Sequence, residues 1–219
     1  FREGIIGPGA DFQLWPQSGP AMAGVADDRH HMGPDEAGSI HRHSGSAISN
    51  SVLFPVTEAQ RNGLEDLRLV RFVEDDGQVE YLGTYTAYSG HSIRSELLRT
   101  RDFSSFCLAP LGGIAARHKG MALFPRRIDG RYRMIARQDG KNITILTSDR
   151  LDEWNDEGQV LIRPEFPWEF VQMGNCGSPI ECDAGWILLT HGVGAMRKYS
   201  LGAALLDRDD PSRVIARTR

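Results

Sequence analysis

The stretch LRLVRFVEDDGQVEYLGTYTAY, running from Leu67 to Tyr88, decides the fold. Leu67 to Val73 alternates in part, Asp75-Asp76-Gly77 turns the chain, and Val79 to Tyr88 continues as a strand of β-branched and aromatic residues. The same unit returns twice. Met121 to Pro125 leads to a turn at Asp129-Gly130, then to strands Tyr132 to Ala136 and Asn142 to Thr147. Ser178-Pro179-Ile180 leads to a turn at Asp183-Ala184-Gly185, then to Trp186 to Thr190, with Leu201 to Leu206 as the partner strand. The turns at Gly77, Gly130 and Gly185 stand roughly 50 to 55 residues apart, the period of a four-stranded propeller blade. Helical patterns are nearly absent. Arg101-Asp102-Phe103 and Leu151-Asp152-Glu153-Trp154 read as repeated turn elements between blades. The expectation is an all-β propeller, with about three blades in view and a ragged piece at the start.

Composition agrees with a globular chain. Of 219 residues 40% are hydrophobic and 25% charged, enough apolar material to offset the entropy of ordering. A net charge of −4 excludes the basic footprint of general nucleic-acid binding. No apolar run reaches the roughly 20 residues of a membrane-spanning helix, so no membrane partner is expected. The three cysteines, Cys107, Cys176 and Cys182, lack a framework pattern and read as reduced thiols of a cytoplasmic protein.

Residues 1–47 are dominated by Gly, Pro, Ser, Asp and His, with weak periodicity, and are expected to form an irregular segment. His30, His31, His41 and His43 invite a metal reading, but no Cys or carboxylate stands at a convincing ligand spacing, and no metal is expected. The propeller is expected over residues 48–219 as a single domain. A chain that opens on Phe1 and closes on Arg219 without a terminating strand is expected to be incomplete.

In a propeller the innermost strands converge on a central channel, so polar residues at the same point of each blade meet. The first unit offers Glu65-Asp66-Leu67-Arg68. The second offers Lys119 and Arg137, and the third Asn175 and His191. An acid, a guanidinium and an imidazole facing one pocket suit cleavage of a glycosidic bond. The same residues also read as surface pairs and turn caps, and spacing alone leaves both readings open.

The ordered set Asn50-Ser51-Val52-Leu53-Phe54-Pro55, Glu65-Asp66-Leu67-Arg68, Tyr85-Thr86-Ala87-Tyr88, Lys119 to Pro125, Gly174 to Ile180, His191-Gly192-Val193 and Tyr199 to Asp207 resembles glycoside hydrolase family 130. These are the β-mannoside phosphorylases and their hydrolytic relatives. The resemblance covers roughly residues 48–219. It implies a five-bladed β-propeller, of which this chain holds a part. It implies cleavage of a β-mannosidic bond with inversion, by phosphorolysis or by hydrolysis. Asp66 matches the proton donor, which in the phosphorylases acts through a sugar hydroxyl. Arg137, His191, Lys119 and Tyr199 match the anion-binding side, with Arg117 second to Lys119. Glu65, Arg68, Tyr88 and Asn175 are expected to bind substrate. No cofactor is implied; inorganic phosphate is the co-substrate of a phosphorylase, a mannoside or oligosaccharide the substrate, and a homo-oligomer a candidate assembly.

Two departures matter. Leu67 stands where the family motif carries Pro, which changes backbone stiffness more than chemistry. Gln172 stands where phosphorylases carry Lys, which removes a charge-assisted bond to phosphate. A hydrolase would instead need a carboxylate base, for which Glu165 and Glu169 are the candidates. Tyr85, Tyr88, Trp168 and Trp186 read either as sugar platforms or as blade packing. The alternative from another class is a non-catalytic carbohydrate-binding or degenerate propeller. WD or kelch signatures of an interaction scaffold do not occur.

Overall fold

The computed structural model describes residues 4–9, 11–15, 21–22, 24–25, 38–42 and 48–219. His30, His31 and His43 lie outside the described residues. From Leu64 onward the chain is strand after strand, joined by turns and single 3-10 turns. In chain order these are β1 (Leu64–Val73), β2 (Val79–Tyr88), β3 (Ile93–Thr100), β4 (Ser105–Pro110), β5 (Ala122–Leu123), β6 (Tyr132–Ala136) and β7 (Ile143–Ser148). They continue with β8 (Gln159–Ile162), β9 (Gln172–Asn175), β10 (Ile180–Cys182), β11 (Gly185–Val193), β12 (Tyr199–Leu206) and β13 (Val214–Arg217).

Three antiparallel sheets result. The first runs β1-β2-β3-β4 and is extended at its outer edge by Gly38–His41, which pairs with β4, and by Gly24–Val25. Part of the irregular opening segment is therefore a strand. The second runs β5-β6-β7-β8. In the third, β9 and β10 share the work of one innermost strand. Both pair with β11, β9 along its end and β10 along its start, and β12 and β13 follow outward. Each sheet contains a four-stranded blade, counting β9 and β10 as one strand, and the turns at Gly77, Gly130 and Gly185 join its first strand to its second.

The blades stack face to face. Phe72, Leu82 and Leu97 of the first blade pack against Met121, Leu123, Met134, Leu146 and Trp154 of the second. Ile135, Ile145 and Ile162 of the second pack against Trp186, Leu188 and Leu206 of the third. In β6, Met134 and Ala136 face one neighbour and Ile135 the other, so the middle blade is apolar on both sides. On the third blade, the side opposite Trp186 and Leu188 leaves Leu189 and Leu201 exposed, as in an arc of blades without a further neighbour.

The segments Arg101-Asp102-Phe103 and Leu151 to Trp154 do repeat, but not between blades. Each joins the third strand of a blade to its fourth. Trp154 is fully buried in the seam between the first two blades, and its indole N–H donates to the Leu151 carbonyl at 2.8 Å.

Candidate active site

The innermost strands break off from regular pairing at one end of the arc. In β1, Glu65 pairs with Thr86 and Arg68 with Thr84, so three steps on one strand meet two on the other. The extra residue forms a bulge, and Asp66 in it adopts φ 57. Left-handed backbone is costly for most side chains and least so for Asn and Asp. The bulge turns Asp66 out of the sheet's alternation. In the second blade, Lys119-Gly120 precedes β5, with Gly120 at φ 83. In the third, the gap between β9 and β10 follows Asn175.

These breaks face one cavity of about 390 Å³. Asp66, Arg68, Lys119, Arg137, Asn175, His191 and Tyr199 line it, together with Gly120, Gln172, Gly174 and Arg197. Seven of the residues singled out from sequence are thus brought together. Glu65 stands at the edge, where Lys119 Nζ lies 3.7 Å from its carboxylate and 3.9 Å from that of Asp66. A second cavity of about 350 Å³ lies beside the first; Glu65, Asp66, Leu64 and Tyr85 line it, so Asp66 is common to both. Tyr88 lines neither; its hydroxyl donates to the Gly90 carbonyl at 3.1 Å.

Several side chains are already committed. Arg68 Nε donates to Asn175 Oδ1 at 2.8 Å, and its Nη1 donates to the Asp66 carbonyl at 2.9 Å. Asn175 is buried and donates in turn to the Gly120 carbonyl at 2.6 Å. Both ends of its amide are used, so Asn175 ties the three blades together beside the cavity that it lines. Arg68 is held rigidly over the cavity by the same bonds. Burial, reinforced by Arg137, lowers its pKa against the opposing pull of Asp66. A guanidinium keeps its charge through such a shift.

His191 is the cross-strand partner of Gly174. Its ring stands 5.9 Å from that of Tyr199, and Cys176 Sγ lies 3.9 Å from its Nδ1. Burial first, then the charges of Arg137 and Arg68, push the imidazole below its ordinary pKa. It is a neutral donor at pH 7. Among the described residues, the Arg137 side chain makes only a long bond to the Met173 carbonyl, at 3.5 Å. Among the described residues, Arg68, Arg137 and Arg197 have no carboxylate within ion-pair distance. Asp66 is the single carboxylate in the lining.

The two candidate bases go elsewhere. Glu169 is fully buried, pairs with Arg217, and accepts from the backbone N–H of Glu165 at 2.9 Å and of Phe166 at 3.1 Å. Glu165 lies 3.8 Å from the same Arg217. Neither lines the cavity, so of the two readings, hydrolase base or plain loop carboxylate, the geometry favours the second. The aromatics are also spoken for. Tyr85 is buried and donates to Glu96, and Trp186 is buried and donates to the Arg208 carbonyl. Trp168 lies flat on Gly192 and Gly202, where a Cβ would come within 2.6 and 2.8 Å of its ring.

Sequence reasoning missed Arg197. It follows a run of short residues with no strand pattern, and the left-handed backbone at that position leaves no compositional trace.

The model of a family described as β-1,4-mannooligosaccharide phosphorylase, glycoside hydrolase family 130, matches residues 42–219. The chain belongs to glycoside hydrolase family 130. It is 33% identical over 182 residues to a 1,2-β-oligomannan phosphorylase of Thermoanaerobacter sp. (strain X514), covering 78% of this chain and 57% of that one. It is 32% identical over 174 residues to the β-1,2-mannobiose phosphorylase of Listeria innocua, covering 76% of this chain and 47% of that one. The solved structure of a Listeria innocua β-1,2-mannobiose phosphorylase with β-1,2-mannobiose superposes with a TM-score of 0.64, at 30% identity over 76% of this chain and 47% of the other. The chain thus spans about half the length of these family 130 relatives. The all-β architecture is that of a five-bladed propeller represented by three of its blades.

Proposed function

We propose that this chain carries the reaction centre of an inverting β-mannoside phosphorylase. One observation carries the choice of phosphorolysis over hydrolysis: three arginines line the cavity without carboxylate partners, while both candidate bases are paired with Arg217 outside it. Arg68 and Arg137 are half-buried and Arg197 is exposed; half-buried cations without counter-ions are costly, and a bound oxyanion relieves the cost. Water would need a carboxylate to activate it; phosphate is already anionic.

In this reading phosphate sits among Arg68, Arg137 and His191, with Tyr199 at the edge. Asp66, shared by the two cavities, faces the sugar. The mannoside's anomeric C–O bond breaks as a phosphate oxygen bonds to the anomeric carbon from the opposite face. The leaving oxygen takes a proton that originates on Asp66 and passes through a sugar hydroxyl, and Asp66 recovers a proton from the attacking hydrogen phosphate. The net reaction is mannoside plus hydrogen phosphate giving mannose 1-phosphate and the shortened alcohol, and it asks for no metal or organic cofactor. Mannooligosaccharides with β-1,2 links are the substrates to test first, because the relatives named above act on them.

The experiment is incubation with β-1,2- and β-1,4-linked mannosides with and without inorganic phosphate. Mannose 1-phosphate formed only with phosphate is the expected result. Free mannose at a rate indifferent to phosphate refutes phosphorolysis.

A further inference from the structure

The loop between β11 and β12 is a small strap. Gly194 N–H donates to the Lys198 carbonyl at 2.9 Å, and Lys198 N–H donates to the Ala195 carbonyl at 3.3 Å. Its root is seated on the Pro167-Trp168 backbone, so closely that a Cβ on Gly194 would come within 3.0 Å of it. At its tip, Met196 and Arg197 are both left-handed, with φ 58 and φ 56. Two consecutive non-glycine residues in that region are unfavourable, and such strain persists only where the surrounding structure holds it. The outcome is a division of side chains. Met196 stands 98% exposed and is not part of the lining, while Arg197, also exposed, is one of the residues that line the cavity.

Arg197 enters that cavity with no ion pair among the described residues. Lys119 is engaged with Glu65 and Asp66, and Arg68 is tied to Asn175 and the Asp66 backbone. The strap leaves β11 at Val193, the cross-strand partner of Gln172, so this neutral amide of the lining lies beside the strap's root. A cation on the strap is placed to complete the positive wall on the side where Gln172 contributes none.

We infer that Arg197 is a further ligand of the phosphate co-substrate, delivered from the strap beside Gln172 by a strained two-residue turn. The inference rests on the phosphorolysis reading. A guanidinium binds phosphate through two parallel N–H donors, whereas an amide offers a neutral bond.

The test uses Arg197→Ala, Arg197→Gly and Arg197→Lys, with two readouts: the KM values for phosphate and for mannoside, and calorimetric titration with inorganic phosphate alone. Arg197→Gly removes the cation and relieves the left-handed strain, so it separates charge from backbone damage. The expected result is a phosphate KM raised about ten- to hundredfold in the Ala and Gly variants. The mannoside KM stays within about threefold, and Arg197→Lys recovers part of the loss. Gln172→Lys placed on Arg197→Ala recovers phosphate affinity if the two positions serve one anion. Unchanged phosphate KM in both the Ala and Gly variants overturns the inference and leaves phosphorolysis standing. Phosphate binding that weakens on loss of Arg197, in a protein that makes no mannose 1-phosphate, overturns phosphorolysis and leaves the anion ligand standing.

Discussion

The imidazole of His191 lies over the backbone of Gly174, its partner across the β9–β11 ladder. A Cβ built on Gly174 would come within 2.6 Å of the ring's Cε1 and 2.8 Å of its Nε2. The glycine is what allows the ring to lie flat toward the cavity. Gly174→Ala is therefore expected to displace the imidazole without unfolding the blade, since the obstructed group is a side chain that can rotate. Loss of one neutral hydrogen bond predicts a phosphate KM raised by roughly fivefold to tenfold. Steady-state kinetics with a thermal melt on the same sample checks this; an unchanged phosphate KM would mean that His191 does not touch the anion.

Asp66→Asn is expected to abolish cleavage while leaving the bulge intact. Asn is among the few residues that accept the φ of 57 found there. Removal of a general acid predicts a loss of about 10²- to 10⁴-fold in kcat. The control is the melting temperature, which is expected to stay within a degree or two. Full turnover by the Asn variant would remove Asp66 from the mechanism.

Arg137→Ala and Arg68→Ala are expected to differ, although both lose a cation. Among the described residues the Arg137 side chain makes only a 3.5 Å bond, so its loss is expected to appear almost wholly as a phosphate KM raised about ten- to hundredfold. Arg68 also anchors Asn175 and the Asp66 carbonyl, so its loss is expected to lower kcat and stability as well. Parallel kinetics and urea unfolding separate the two patterns; identical profiles would contradict the division of labour.

The His191 shift has a sign that can be checked. Its pKa in the folded protein lies below the ordinary value of about 6.5, so the fold binds fewer protons than the unfolded chain as the pH drops. The stability this contributes is fully present above the unfolded value of about 6.5 and is lost below it, as the pH falls through the lower pKa of the folded state. A bound dianion reverses the preference and draws a proton onto the ring. Sulfate, whose charge does not change in this range, is expected to bind with proton uptake near pH 6. Calorimetry in two buffers of different ionisation heat measures it. The uptake should vanish in His191→Gln; its persistence there would assign the proton to another group.

Much of this was legible in the sequence because the signals are local. The glycine turns at positions 77, 130 and 185 locate the hairpin of each blade, and β2 and β6 read off their residues without error. Of the third strands, β7 and β12 were legible and β3 was not. β3, Ile-Arg-Ser-Glu-Leu-Leu-Arg-Thr from Ile93, buries Ser95, Glu96, Leu97 and Leu98 in succession, so neither alternation nor apolar character marks it. Glu96 is buried because Tyr85, Gln60 and Arg94 meet it there, partners distant in sequence or outweighed by its charge. The cavity was legible where motifs lie on or just past the first two strands of a blade, as with Asp66, Arg137 and His191. Arg197 was not, because its placement depends on a backbone conformation that composition does not encode. Glu169 stayed open between a hydrolase base and a plain loop carboxylate for a related reason: proximity in sequence to the third blade's inner strand says nothing of which way a carboxylate faces.

Glu169 offers the sharpest separation of structure from chemistry. Its carboxylate is fully buried, accepts from two backbone N–H groups, and pairs with an Arg217 that is itself largely covered. Glu169→Gln keeps an oxygen for the backbone donors but removes the charge facing Arg217. A buried charge stripped of its partner costs about 3–5 kcal/mol. Here Arg217 retains the Arg163 carbonyl at 3.1 Å, Glu165 at 3.8 Å and the face of Phe166 at 5.1 Å. The expected loss is therefore smaller, about 2 kcal/mol, read as a shift of the urea midpoint at constant slope. Activity per folded molecule is expected to be unchanged, with the same dependence on phosphate. The opposite pattern, a stable protein that has lost a phosphate-independent cleavage, would make Glu169 the base of a hydrolase and reverse the assignment of the anion cavity.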